Sequence, residues 1–160
     1  MMSRIYAQYP PWWDKTITIY NKFEDPQTQV ITWYRHVLSD CFWQYTTNSL
    51  RINEVSLDTN SITCRIPEDT KFKPKYDWVN LSNDKMSEYF TLGAGDIIIV
   101  GNVTDTIDEY SLGHTSNDIL NKYSKYHDCM EIGEVAINTG TARNNPHYLV
   151  GPSNSRAWSY

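Results

Sequence analysis

The chain has 160 residues, of which 40% are apolar and 21% charged, with a formal net charge of −5 and a negative mean hydropathy. A chain of this length buries about 70% of its unfolded surface, and its balance excludes the disordered and the helical membrane-spanning classes. Three cysteines, Cys41, Cys64 and Cys129, are an odd number at wide spacing and read as reduced thiols that pack as small apolar side chains.

In chain order, the first ten residues show no apolar signal core, so no Sec export is expected. Residues 1–14 end in Tyr9-Pro-Pro-Trp-Trp-Asp14, where paired prolines fix an extended arm. Its Trp12 and Trp13 need burial, against their own domain or against a neighbour. From Lys15 the β-branched alternation of Lys15-Thr-Ile-Thr-Ile-Tyr-Asn21 predicts a half-buried strand. A turn at Phe23–Thr28 leads to a return strand at Gln29–Val37, and further short strands follow at Cys41–Thr46, Leu50–Glu54 and Asn60–Ile66, where Pro67 stops the last. Residues 67–92 read as a long loop with a short helix around Asp84–Tyr89; a connection of that length is usually functional or interfacial. Gly93-Ala-Gly-Asp96 turns into a buried strand, Ile97–Val100, and Gly101–Tyr110 continues as a more polar strand. A helix capped at Thr115 runs from Ile119 to Tyr126, with Ile119, Leu120, Tyr123 and Tyr126 on one face. Strands at Met130–Ile137 and His147–Val150 close the pattern, and Gly151–Tyr160 forms a second arm carrying Trp158 and Tyr160. The expected fold is mainly β: a small barrel or sandwich with one helix over residues 15–150, with extended N- and C-terminal arms.

Charge is uneven along the chain. Residues 77–139 hold three Lys or Arg against eleven Asp or Glu, an acidic middle that repels a phosphate backbone and disfavours sequence-specific nucleic-acid binding. Lys71, Lys73 and Lys75 form a short basic run, either a solvated loop or a contact for a neighbour. Gly93-Ala-Gly95 precedes a strand and lacks a third glycine, so it is not a dinucleotide fingerprint. His36, His114, His127 and His147 are scattered, and no metal or cofactor is expected. Asp105, Asp108 and Glu109 are the nearest thing to a carboxylate constellation, but on a strand Asp105 and Asp108 would point to opposite faces. Cys41 sits between strand residues beside Phe42 and Trp43, the setting of an inert thiol. No catalytic residues emerge, and the chain reads as a non-enzyme. An aromatic content of 14% points instead to binding, because large amphipathic rings concentrate at interfaces.

The order of Thr16-Ile-Thr-Ile-Tyr-Asn21, Trp33-Tyr-Arg-His-Val-Leu38, Phe42-Trp43, Gly95-Asp-Ile-Ile-Ile-Val-Gly101, Ile107-Asp-Glu-Tyr110 and His147-Tyr-Leu-Val150 resembles a family of small proteins in the structural modules of tailed phages and prophages of Gram-positive bacteria. More distantly, it is similar to the phage head-tail joining proteins. The resemblance implies a small β-barrel or sandwich with a helix, a subunit of the virion neck that forms a hexameric or dodecameric ring and meets a portal or adaptor protein and tail proteins. Packaged DNA would pass through without sequence-specific binding, and no membrane is involved. In that setting Asp105, Asp108 and Glu109 would face the lumen, Trp12, Trp13, Trp158 and Tyr160 would make contacts between subunits, and Lys71, Lys73 and Lys75 would meet a neighbour. Two other readings stand beside head closure: a tail-terminator or tail-completion ring, and a glycan-binding module of a tail tip or fibre that stacks sugars on Trp12, Trp13, Trp78 and Trp158.

Overall fold

A computed structural model describes residues 9–52, 55–139 and 145–153, with the backbone alone at 47–60. The alternating segment forms β1 (Lys15–Glu24), and residues 17–21 are buried on both of its faces. The strand is therefore more than half-buried: Ile17 and Ile19 enter the barrel core, while Tyr20 belongs to a second cluster outside the barrel wall. β2 (Ile31–Ile52) is one strand of 22 residues. The segments read as strands at Gln29–Val37 and Cys41–Thr46 are its two halves, and residues 50–52 are its far end, so the first half of the chain holds three strands where five were expected. Asp40 takes a left-handed φ of 59° where β2 passes from pairing with β1, which ends at Lys15↔Cys41, to pairing with β3 (Val55–Pro67), which begins at Phe42↔Arg65.

β4 (Ile97–Val100), β5 (Cys129–Asn138) and β6 (His147–Pro152) complete a closed antiparallel barrel in the order β1-β2-β3-β6-β5-β4. The pairing of Ile17–Tyr20 with Ile97–Val100 closes it. The unbroken Ile97-Ile98-Ile99 run has a simple cause, since Ile98 packs into the barrel while Ile97 and Ile99 join the outer cluster, and a strand covered on both faces needs no polar alternation. Cys41 and Cys64 lie in the barrel core, Cys129 lies in the outer cluster, and all three are buried. In β5 the register shifts at Gly133, where the Ser153 backbone passes too closely to admit a Cβ.

Two irregular stretches cover the two faces of the β1–β2 hairpin. Residues 68–93 form a strap that contains α1 (Lys75–Trp78) and α2 (Asn83–Glu88) and is tied across by a bridge between Phe72 and Phe90. The segment expected to be a loop with one helix thus carries two. Residues 101–115 cover the other face as a loop. They form no strand, in contrast to the polar strand expected there: Val103 and Ile107 are buried, and backbone groups of Gly101, Val103 and Asp105 bond to the side chains of Thr18, Tyr20 and Arg35 in place of a ladder. α3 (Ser116–Tyr123) follows, capped by a reciprocal Thr115–Asp118 box. A short 3-10 turn at Ser124–Tyr126 leaves Tyr126 81% exposed, so the helix buries Ile119 and Leu120 and not the full expected face.

Candidate functional site

Beyond Trp43↔Cys64 the β2–β3 ladder continues as a ribbon from Gln44↔Thr63 to Ile52↔Val55. Among the described residues neither strand pairs with a third along that length, since β1 reaches β2 only as far as Cys41 and β6 reaches β3 only from Cys64. At about 3.4 Å per residue the ribbon projects about 27 Å from the barrel. Its root is braced: Tyr45 stacks on His127 with ring centroids 3.8 Å apart, and Trp43 Nε1 donates to the His127 carbonyl at 3.0 Å. An isolated two-stranded ribbon is marginal in water, and along this reach the ribbon draws no support from a third described strand.

The three acids expected to line a lumen lie in the loop, not on a strand, and each has a local partner. Asp105 accepts from Lys122 Nζ at 2.9 Å and from the Tyr123 hydroxyl at 2.6 Å, and these contacts hold its carboxyl below the usual range. Asp108 accepts from the Tyr110 amide at 2.9 Å. Glu109 accepts from the Ser116 amide at 2.6 Å and from its hydroxyl at 3.0 Å, which fixes the start of α3. Asp105 and Glu109 pin the loop to α3, Asp108 closes a turn within the loop, and the three do not converge as a dyad.

The aromatic arm divides. Trp13 is only 8% exposed and packs on Tyr9, Phe42 and His147 of its own chain, so it does not offer the inter-subunit contact expected of it. Trp12 is 64% exposed and is the ring left to the outside. Trp158 and Tyr160 lie outside the described residues. Trp78 is fully buried, set edge-on to Phe23 and Tyr34, with Nε1 donating to the Tyr89 carbonyl at 2.8 Å. It cannot serve as a sugar-stacking platform.

The basic run divides as well. Lys71 is exposed and paired with Glu88 at 3.0 Å, Lys73 lies over the Tyr89 ring, and Lys75 turns inward. Lys75 Nζ donates to Asp96 Oδ1 and to the Lys22 carbonyl, both at 2.9 Å, which makes it a clasp in place of the expected contact with a neighbour. Sequence reasoning missed Asp96, the centre of that clasp. Its carboxylate is fully buried and also accepts from the Lys22 amide at 2.9 Å, Asn21 Nδ2 at 3.0 Å and the Gly93 amide at 3.0 Å. Burial pushes its carboxyl up against the pull of Lys75 and these donors. The signal was present in outline, because an acid between Gly95 and a run of three isoleucines must find partners. With both oxygens doubly bonded, Asp96 holds the strap on the barrel and has no capacity left for a substrate.

An open groove of about 610 Å³ runs over β3, β6 and β5, with Val135, Ala136 and Leu149 on its floor and Arg65 and Glu134 at its sides. Among the described residues no three His, Cys, Asp or Glu side chains converge as a metal site, and no helix is long and apolar enough to cross a membrane. A family model matches residues 12–153, and the chain belongs to that family, a family of unknown function (DUF6751). No curated protein and no solved structure matches the chain. The matched span takes in the whole barrel, the ribbon, the strap and the loop, and it leaves out Trp158 and Tyr160.

Proposed function

We propose that this DUF6751 member is a structural subunit of a tailed-phage neck, a ring-forming head-closure or connector protein that sits between portal and tail. The observation that supports the reading most is the ribbon, whose two strands leave a closed barrel and, from Gln44↔Thr63 to Ile52↔Val55, pair only with each other among the described residues. A barrel has no free edge, so a chain that closes its barrel and still extends a ribbon has set that ribbon aside for an assembly partner. The exposed ring of Trp12 adds a second contact of the same kind.

The test is the copy number of this chain relative to the portal protein in purified virions or induced prophage particles, measured by quantitative mass spectrometry. A one-to-one ratio is expected for a closure ring matched to the portal. About half that ratio moves the subunit to a sixfold tail-terminator ring, and absence from the particle overturns the structural reading. The glycan-binding alternative loses two of its four platforms to burial, Trp13 and Trp78, and it predicts tryptophan quenching by wall sugars that would have to come from the remaining rings.

A further inference from the structure

The loop and the strap, on opposite faces of the β1–β2 hairpin, carry exposed patches of opposite character. On the loop side, residues 108–114 are closed by hydrogen bonds from the Asp108 amide to the His114 carbonyl at 2.8 Å and from the Ser111 and His114 amides to the Asp108 and Ser111 carbonyls. This turn holds Leu112 100% exposed and Tyr110 66% exposed. The Tyr110 hydroxyl is itself fixed, accepting from the Ile31 amide at 3.0 Å, which places the ring beside the β1–β2 turn and its exposed Val30. The two turns, residues 24–31 and 108–116, contain Glu24, Asp25, Asp108 and Glu109 and no lysine or arginine. An aliphatic side chain held wholly in water by a hydrogen-bonded turn is a knob ordered in advance, and docking it costs little entropy.

On the strap side, the ammonium groups of Lys71, Lys73 and Lys85 lie 5.1, 5.0 and 6.0 Å from the centroid of the Tyr89 ring. Glu88 serves both Lys71 and Lys85, at 3.0 and 3.3 Å, and among the described residues no carboxylate pairs with Lys73. The result is an aromatic surface with a basic rim, chemically the counterpart of the knob.

We propose that copies of this chain join head to tail, with the Tyr110–Leu112 knob of one copy seated on the Tyr89–lysine surface of the next. The proposal rests on the reading of the chain as a ring subunit and specifies the contact. Charge selects the arrangement: a two-fold contact through either patch alone sets like charges against each other, whereas the head-to-tail contact sets acid against base. A heterologous contact of this kind closes into a ring when its rotation closes.

The test uses two full-length variants, Leu112→Arg, which spoils the knob, and Lys73→Glu, which spoils the receiving surface. Sedimentation velocity of the wild type up to about 1 mM, which reaches association as weak as about −4 kcal/mol, is expected to show growth beyond dimer. Each variant alone is expected to stay monomeric. An equimolar mixture of the two is expected to give dimers and nothing larger, since one knob and one receiving surface survive between them. A strictly monomeric wild type over that range overturns the proposal, and so do variants that associate as the wild type does or a mixture that stays monomeric. Virion copy number separates the two claims. Ring stoichiometry with a failed mixing test removes this contact and keeps the neck reading, whereas a successful mixing test with absence from virions does the reverse.

Discussion

The strap and the loop do the same job on opposite faces of one hairpin, by different means. The strap covers the face that carries Asn21, Phe23, Tyr34 and His36, and it is held by a buried ion pair with Trp78 and Phe90 packed beside it. The loop covers the face that carries Thr18, Tyr20 and Arg35 and is tied to the hairpin itself by neutral side chains and one guanidinium: the Thr18 hydroxyl bridges the Gly101 carbonyl and the Val103 amide at 2.7 and 2.9 Å, the Tyr20 hydroxyl donates to the Asp105 carbonyl at 2.6 Å, and Arg35 donates to the Val103 carbonyl. Losing one partner of a buried ion pair strands a charge, whereas losing one neutral hydrogen bond strands a dipole. The strap is therefore the all-or-none covering, and the loop yields by degrees.

The largest effect is expected at the clasp. Asp96→Ala leaves the Lys75 ammonium, the Asn21 amide and two backbone amides facing a vacated site, at a cost of about 3–5 kcal/mol. For a chain of this size that lowers the melting midpoint by on the order of 10 °C, readable by far-UV circular dichroism. A Lys75→Met change added to Asp96→Ala should recover part of the loss, because the stranded charge goes with it. A double variant no more stable than Asp96→Ala would break the contrast between the two coverings.

Next comes an acid sensitivity confined to the strap side. His36 is half-buried beside Phe90 with its Nε2 shielded from solvent, and burial pulls its pKa down to about 4 against a hydrogen bond with the Met86 backbone. In the unfolded chain the imidazole titrates near about 6.5. As pH falls from about 6.5 to about 4 the unfolded state takes up a proton that the folded state refuses, so stability drops by up to roughly 3 kcal/mol and is level on either side of that window. Urea unfolding at several pH values should show this slope in the wild type and a flatter one in His36→Leu.

The loop side should respond less. Thr18→Val keeps the shape of the side chain and removes the bridge, leaving the Val103 amide and the Gly101 carbonyl without that partner, at about 1–3 kcal/mol. A loss in urea unfolding as large as that of Asp96→Ala would erase the distinction drawn here.

The legible parts of the molecule were those whose signal is local. Thr115 and Asp118 announce α3 because a capping box is written within four residues, and β1, β4, β5 and β6 follow from β-branched runs bounded by turns. The strap's clasp was not legible because Lys75 and Asp96 lie 21 residues apart, and composition marked Lys75 as one more solvated base. The continuity of β2 was hidden at Ser39 and Asp40, between the two segments read as separate strands. Residues 101–110 were misread because a strand was assumed to continue past Gly101, whereas the backbone there is taken up by side chains of Thr18, Tyr20 and Arg35, partners far away in the sequence. The acids at 105, 108 and 109 were visible as a group, but their partners on α3 were not, so their local structural role came only from the fold.

Glu109 gives the smallest effect and the most local one. Its carboxylate accepts from the Ser116 amide and hydroxyl at the first residue of α3, where the amides have no partner within the helix and the helix dipole favours negative charge. The Thr115–Asp118 box remains in Glu109→Ala, so the helix keeps its own cap and loses only the link that ties its start to the loop. The expected cost is about 1 kcal/mol, in the range of a single N-terminal contact. Hydrogen exchange separates this from general destabilisation: the Ser116 amide should lose protection while the amides of Ile97–Val100 in the barrel wall keep theirs. Equal loss at both places would mean that the loop and the barrel open together, and the gradual yielding assigned to the loop side would then be wrong.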